Sequence, residues 1–252
     1  MRTISRIGGG GLLVGGVLFG ALMDGTWVAI TGSVLAMVGF QAITRRGVDG
    51  FAYVGVAVAT TGGLAAIAWQ HSLTASEVGL GRASWATGLV WSLGIVLVVG
   101  AVIGIAGARP RLHHLFADNR VIDVPGAVTA RRVLLDIPFG TVLVEEFAFR
   151  GVLLALLTTV TSTSWAVVLT SGLFGLWHVS PALELHESHR AVTGGSWTTV
   201  LSAVLFTGLA GLVFGILRVW TGSLLPPAAL HWAANGSGVA VAWFLHRRPA
   251  RG

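Results

Sequence analysis

Long uninterrupted runs of apolar residues recur along this chain of 252 residues. A run of about 20 apolar residues is the length that a helix needs to cross the hydrocarbon core of a bilayer. Only 10% of the residues are charged and 54% are hydrophobic, whereas a soluble domain has about 25% charged residues. Because a backbone in lipid must satisfy its hydrogen bonds internally, runs of this length fold as helices. The sequence therefore predicts an all-α protein, a polytopic transmembrane helix bundle.

The apolar runs predict about eight membrane spans. The first follows Arg2 and Arg6 and could be a signal peptide. An uncleaved helix is expected instead, because no small-x-small cleavage site follows it and a second span begins almost at once. The fifth run is longer than a crossing needs, and Pro138 within it predicts a bend. The predicted spans lie at about residues 7–23, 27–43, 51–69, 86–106, 132–160, 165–183, 197–219 and 224–245.

All of the basic residues apart from histidine are arginines, and they cluster at one set of span junctions. These junctions are the N-terminus, Arg45 and Arg46, the loop 109–132 and the tail 247–251. Because cytoplasmic loops of membrane proteins are rich in arginine and lysine, both termini are predicted to be cytoplasmic, in an integral protein of a bacterial cytoplasmic membrane. The net charge of +6 therefore fits a lipid bilayer as partner, and nucleic acid is not expected.

Three charged residues, Glu145, Glu146 and Arg150, lie inside the fifth apolar run. An ionised side chain at the centre of a membrane helix costs about 2.5–3.5 kcal/mol on insertion scales. In a helix Glu146 and Arg150 stand four residues apart and can pair on one face, whereas Glu145 points about 100° away, toward a different neighbour. Two interpretations remain: an ion-pair clamp between helices, or a catalytic carboxylate beside its own structural brace.

Two later spans supply polar side chains that can pair with these charged residues. Phe174 precedes His178 by one turn in the sixth span, and His231 precedes Asn235 by one turn in the eighth. A single buried histidine is more often a partner in an interhelical hydrogen bond than a catalyst. Ionisable groups within membrane spans face inward and pair with one another, so we expect three helices to bring these side chains together.

The combined side chains suit attack of water on an amide. A glutamate in a low-dielectric site can act as general base and then as acid, and a neutral histidine can orient water. A histidine and an asparagine one turn apart can donate to a developing oxyanion. The sequence does not favour covalent catalysis, since cysteine is absent and no buried serine or threonine is visibly paired with a base.

A metal site is the alternative use of the same residues. Glu145, His178 and His231 could hold a divalent metal ion such as zinc with one coordination position open. The chain lacks the His-Glu-x-x-His helix of zinc proteases. The side chains alone leave both alternatives open.

The three motifs together resemble the CPBP family of intramembrane proteases, the CAAX prenyl protease and bacteriocin-processing proteins, also called Abi. They occur in order within membrane spans, over about residues 137–237, and the first half of the chain carries none of them. We therefore predict two parts, N-terminal helices with a cytoplasmic loop at residues 1–130 and a CPBP-type catalytic core at residues 131–252. The family motifs are matched as Glu-Glu-x-x-x-Arg by Glu145, Glu146 and Arg150, Phe-x-x-x-His by Phe174 and His178, and His-x-x-x-Asn by His231 and Asn235.

The resemblance implies a role for each of the four catalytic candidates. Glu145 would be the general base and would activate water together with His178. His231 and Asn235 would form the oxyanion site. The family has been described both as metal-dependent and as using glutamate-activated water without a metal, so the resemblance leaves the metal open.

The remaining motif residues would support the site, with Arg150 bracing Glu146 and with Phe174 packed beside them. The function implied is an intramembrane endopeptidase that acts on a membrane-associated protein or peptide, which could be lipidated. The alternative is a non-catalytic membrane scaffold or a bacteriocin self-immunity protein, in which the same polar cluster only locks helices together. A transporter is least favoured, because the sequence shows no convincing internal repeat.

Overall fold

The described part of the chain, in a computed structural model, comprises residues 25–116, 121, 123–183 and 197–247. These residues are helix and loop, with no strand among them. Short 3₁₀ helices at Arg82–Ser84 and Pro110–Phe116 stand before and after the third long helix. The long helical segments are α1 (Thr26–Thr44), α2 (Gly50–Gln70), α3 (Trp85–Gly107), α4 (residues 126–160), α5 (Thr163–Trp177), α6 (Trp197–Thr221) and α7 (Leu225–His246).

The helices confirm the predicted polytopic bundle. Each of α1 to α7 corresponds to one predicted span, and the predicted first span at residues 7–23 lies outside the described residues. The protein is therefore an integral membrane protein. Within the described residues, five helices are long and apolar enough to cross a membrane by themselves: Thr26–Thr44, Gly50–Gln70, Arg82–Gly107, Thr163–Leu183 and Val200–Thr221.

Helix α4 lies at the centre of the bundle and is irregular. Every residue from 144 to 157 is buried, as expected for a helix that is packed on all sides. Two π-helical stretches, Arg132–Val142 and Phe147–Leu153, interrupt its α-helical turns. Pro138 lies in the first stretch, where a missing N–H disturbs the regular hydrogen-bond ladder. Such π-helical stretches are frequent at functional sites.

The sixth predicted span is interrupted near its end. Helix α5 stops at Trp177, His178 forms a turn, and helix resumes at residues 179–183. The cause lies in Pro181, which has no N–H to donate to the carbonyl of Trp177 four residues earlier. The turn therefore places Trp177 and His178 at a helix end.

Helices α5 and α6 approach closely at a pair of glycines. A Cβ built on Gly175 would lie 2.8 Å from the carbonyl oxygen of Val204 and 3.2 Å from the Cα of Gly208. Only a glycine fits this contact without displacing backbone, because small residues are what allow membrane helices to pack at short distance.

We expect Gly175→Ala to destabilise the bundle by about 1–3 kcal/mol, since the added methyl group overpacks the α5–α6 contact. The measurement is the thermal unfolding midpoint of detergent-solubilised protein. Gly172→Ala is the matched control, because a Cβ there meets nothing within 4 Å. Equal midpoints for the two variants would contradict the proposed contact.

Arginines gather at one end of the bundle, here called the basic end. It contains the α1–α2 turn with Arg45 and Arg46, the start of α4 and the end of α7. Arg131 reaches Gly50 at the start of α2, and the Trp243 indole N–H donates to the carbonyl of Val124 at 2.9 Å. These contacts show that the helix ends predicted from the arginine pattern to share one side of the membrane lie close together.

The orientation can be tested by cysteine labelling, because the chain has no native cysteine. Asp49→Cys lies at the basic end and Ser164→Cys at the opposite end, and both positions are exposed. We expect a membrane-impermeant maleimide to label Ser164→Cys in intact cells and Asp49→Cys only after permeabilisation, because the arginine-rich side stays in the cytoplasm. The reverse labelling pattern would show that the protein has the opposite orientation in the membrane.

Candidate active site

Glu146 is the shared acceptor of a buried ionic cluster. Its Oε1 accepts from Arg150 Nη1 at 3.2 Å and from His231 Nδ1 at 2.8 Å. The side chains of Glu146 and Arg150 are 2% and 1% exposed. The i, i+4 pair expected on α4 is therefore present, and α7 adds a histidine to it.

Glu145 faces the same histidine from the other side. Its Oε1 accepts from the indole N–H of Trp177 at 3.0 Å. Its Oε2 lies 3.9 Å from His231 Nε2 and has no hydrogen-bond partner among the described residues. Two successive carboxylates on α4 thus flank one imidazole, each near a different ring nitrogen. Glu146 Oε1 has two partners and Glu145 Oε1 has one, while the Oε2 of each carboxylate is buried without a hydrogen-bond partner among the described residues.

The guanidinium of Arg150 is enclosed by aromatic rings. Its Cζ lies 4.1 Å from the ring centroid of Phe174 and 5.0 Å from that of Phe214. Its Nε and Nη2 find no hydrogen-bond acceptor in the described part of the chain. The ring faces therefore supply cation–π attraction where acceptors are missing, an interaction that strengthens when it is desolvated.

Phe174 connects the motif residues of α5 and α7. Its ring centroid is 4.7 Å from that of His178 and 6.0 Å from that of His231, both edge to face. Together with its contact to Arg150, these packings place Phe174 among the other motif side chains. The Phe-x-x-x-His spacing therefore brings the two rings of this motif into contact.

His178 and Asn235 lie at the periphery of the cluster. His178 is half-buried, and its Nδ1 is 2.8 Å from the carbonyl oxygen of Phe174, which fixes the ring. In the described structure neither His178 nor Asn235 makes a hydrogen bond to Glu145. Asn235 is exposed, one turn after the buried His231. The structure therefore brings together Glu145, Glu146, Arg150, Phe174 and His231, and leaves the other two beside them.

The arrangement does not fit a metal ion held by three ligands. Among the described residues no group of three histidine, aspartate or glutamate side chains is placed to hold a metal. His231 Nδ1 already contacts Glu146, and His178 Nδ1 contacts a backbone carbonyl of its own helix.

The cluster lies inside the bundle, beyond a contact between α2 and α4 near the basic end. Tyr53 is one turn inside α2, and its hydroxyl is 2.9 Å from that of Thr141 on α4. Glu145 is four residues further along α4, about 6 Å deeper by the rise of a helix. The carboxylates therefore lie deeper in the bundle than the contact between Tyr53 and Thr141. His231 shares this depth because it contacts Glu146.

The depth of His231 depends on where α7 begins. The chain enters α7 after Leu224, whose N–H donates to the carbonyl of Gly79 at 2.9 Å. Arg218 donates to the carbonyls of Ser76 and Glu77 at 3.3 and 2.7 Å and fastens the same loop. Val78 of this loop is buried in the core. This loop therefore fills the end of the bundle opposite the basic end, and α7 begins within the bundle.

Two aromatic residues of the site were not predicted from the sequence. Trp177 binds Glu145, and Phe214 of α6 stacks on His231 with centroids 5.3 Å apart and an angle of 23°. In a chain with ten tryptophans and eleven phenylalanines, residue type alone gives no reason to choose them. The position of Trp177 directly before His178 was the only available indication.

A comparison with family models relates the segment that carries this site to known proteins. Residues 129–237 match the family of type II CAAX prenyl endopeptidases, Rce1-like. The resemblance predicted from the motifs is thereby confirmed. The Rce1-like segment runs from the start of α4 into α7 and contains all three motifs. Comparisons with curated proteins and with solved structures found no match.

The division of the chain at about residue 130 stays a prediction. The Rce1-like segment begins at residue 129, close to that boundary. However, α1 and α2 pack directly against α4, so the helices outside the Rce1-like segment form part of the wall around the site.

The buried pair of Glu146 and Arg150 predicts a large effect of removing one partner. We expect Arg150→Met to destabilise the protein by about 3–5 kcal/mol, because the carboxylate of Glu146 would lose its buried counter-charge. The measurement is the unfolding midpoint in detergent, with Arg82→Met as control at an exposed arginine. Adding Glu146→Gln to Arg150→Met should cost less than the sum of the single effects, since the partners are coupled. Strict additivity would argue against the ion pair.

Proposed function

We propose that this protein is an intramembrane endopeptidase that hydrolyses a peptide bond of a membrane-associated protein or peptide. The Rce1-like match supports a CAAX-protease-like endopeptidase at the level of the family. The observation that carries the proposal is the position of Glu145 Oε2, which is buried, has no partner among the described residues and lies 3.9 Å from His231 Nε2. A water molecule beside both atoms can reach each at hydrogen-bond distance.

The reaction begins with general base catalysis by Glu145. Its free Oε2 takes a proton from the water, and the water oxygen attacks the carbonyl carbon of the scissile amide. His231 is held by Glu146 through Nδ1, so its Nε2 side faces the reacting atoms. With both ring nitrogens protonated, His231 donates through Nδ1 to Glu146 and through Nε2 to the oxygen on which negative charge develops.

The second step returns the proton. The carbon–nitrogen bond of the tetrahedral intermediate breaks, and Glu145 as general acid gives its proton to the leaving nitrogen, which departs as an amine. The new carboxyl group keeps the oxygen of the water. We assign different purposes to the two carboxylates because Glu146 is bound by Arg150 and His231, whereas the hydrogen bond to Glu145 comes from the neutral indole of Trp177.

His178 and Asn235 are assigned to the substrate side of this site. The Nδ1 of His178 is occupied by the carbonyl of Phe174, which directs its Nε2 away from its own helix. Asn235 is exposed one turn from His231. We propose that both contact the substrate, His178 at the water and Asn235 at the oxyanion, once the substrate backbone lies against the cluster.

The substrate is proposed to be a membrane-associated and lipidated chain that is reached from the cytoplasmic side. The cytoplasmic side is proposed because the arginine pattern predicts that the basic end, from which α4 enters the bundle, faces the cytoplasm. A divalent metal such as zinc is kept as a second proposal, with Glu145, His178 and His231 as its ligands. These side chains would have to move together to hold it, because no group of three is so placed among the described residues. Activity after exhaustive chelation separates the two chemistries.

We expect Glu145→Gln to abolish cleavage, because an amide cannot accept the proton of the water. The experiment compares peptide termini in membranes and medium of cells that carry wild type or Glu145→Gln at matched folded levels. Glu77→Gln is the control, since it makes the same chemical change in an exposed loop at the opposite end. New termini should occur with wild type and the control only.

The same experiment can overturn the proposal. Identical termini in all three strains, with the host function intact, would indicate a scaffold or self-immunity role for the cluster. Cleavage by Glu145→Gln at the wild-type rate would show a protease that uses another base.

A further inference from the structure

Trp177 makes three directed contacts from one position beside the cluster. Its indole N–H donates to Glu145 Oε1 at 3.0 Å. Its carbonyl oxygen accepts from the side-chain amide of Gln41 at 3.2 Å, and its ring stacks on Phe40, with centroids 6.3 Å apart at 21°. One end of this residue therefore holds a site carboxylate, and the other end is held by α1.

The contact with Gln41 has a specific physical cause. Because Pro181 has no N–H, the carbonyl of Trp177 lacks the donor that a continuous helix would supply. A backbone carbonyl without a partner is costly in a membrane interior. Gln41 of α1 supplies the missing donor, so the break in α5 is stabilised by a side chain from outside the Rce1-like segment. Arg45 of α1 donates to Ser180 Oγ and holds the residues after the turn.

The contact with Glu145 decides which of its oxygens reacts. The indole occupies Oε1, so Oε2 is the atom left toward His231. A hydrogen bond from a fixed tryptophan also prevents rotation of the carboxylate, which otherwise exchanges the two oxygens. Preorganisation of this kind acts on the reacting geometry rather than on overall folding.

We propose that Trp177 is a positioning residue for Glu145, and that Gln41 of α1 positions Trp177. The inference rests on the proposed function, since it specifies how the general base is oriented. It also assigns a role to the N-terminal half of the chain, in which the sequence shows no motif. Neither side chain is required to touch the substrate.

The test uses purified full-length protein and a peptide that spans a cleavage site mapped from the new termini. Trp177→Phe keeps an aromatic ring and removes the N–H donor. We expect kcat to fall at least about tenfold, the effect of losing a hydrogen bond to a charged group. KM should change less than about twofold, because the interaction acts on the reacting geometry rather than on substrate binding. Gln41→Leu should lower kcat about three- to tenfold, the range for a neutral hydrogen bond.

Two control variants separate positioning from folding. Trp243→Phe removes an indole N–H that donates to a backbone carbonyl far along α7, and Gln70→Leu changes an exposed glutamine at the end of α2. Both should retain the kcat of wild type. Unfolding midpoints of all four variants are measured in the same detergent.

Each outcome decides the inference. A fall in kcat for Trp177→Phe and Gln41→Leu, at midpoints equal to those of the controls, supports positioning. An unchanged kcat for Trp177→Phe overturns it, and so does a loss of activity that merely follows a loss of folded protein in both variants. If Glu145→Gln is inactive while Trp177→Phe is fully active, only this inference fails. Cleavage by Glu145→Gln would contradict the proposed function as well.

Discussion

The fold depends on compensating charge inside a membrane. Glu146, Arg150 and His231 form a contiguous hydrogen-bonded cluster, with Glu145 beside it. Each charge would be costly in lipid, so the helix that carries three of them has to be covered on every side. The burial of α4 from residue 144 to residue 157 follows from this requirement. Helices α1, α2, α5, α6 and α7 then take their places around it.

Within the cluster, environment separates two chemically identical side chains. Glu146 meets Arg150 and His231, so both its charge and its Oε1 are engaged in structure. Among the described residues Glu145 receives one hydrogen bond, from Trp177, and its Oε2, like that of Glu146, is buried without a partner. A buried acceptor without a partner costs free energy, and such a cost is reasonable where a water or substrate group is to be bound. The proposed function accordingly assigns structural support to Glu146 and reactivity to Glu145.

Interruptions of helices place the groups around the cluster. The π-helical stretches of α4 lie on either side of Glu145 and Glu146. The turn at His178 ends α5 beside Glu145, and the carbonyl freed by Pro181 is taken by Gln41. The side chains of the site therefore lie at or next to positions where the helices are irregular.

The sequence by itself determined the helical bundle, the relationship of residues 129–237 to the Rce1-like family and five of the residues that meet in the cluster. It could do so because apolar length, charge inside a span and the i, i+4 spacing of Glu146 and Arg150 are local properties. Only the tertiary structure decided that Glu145 faces His231, that Trp177 binds Glu145 and that Asn235 is exposed. The depth of His231 likewise depends on the loop that lets α7 begin inside the bundle. These facts depend on how helices distant in sequence cross one another, and no local spacing encodes that.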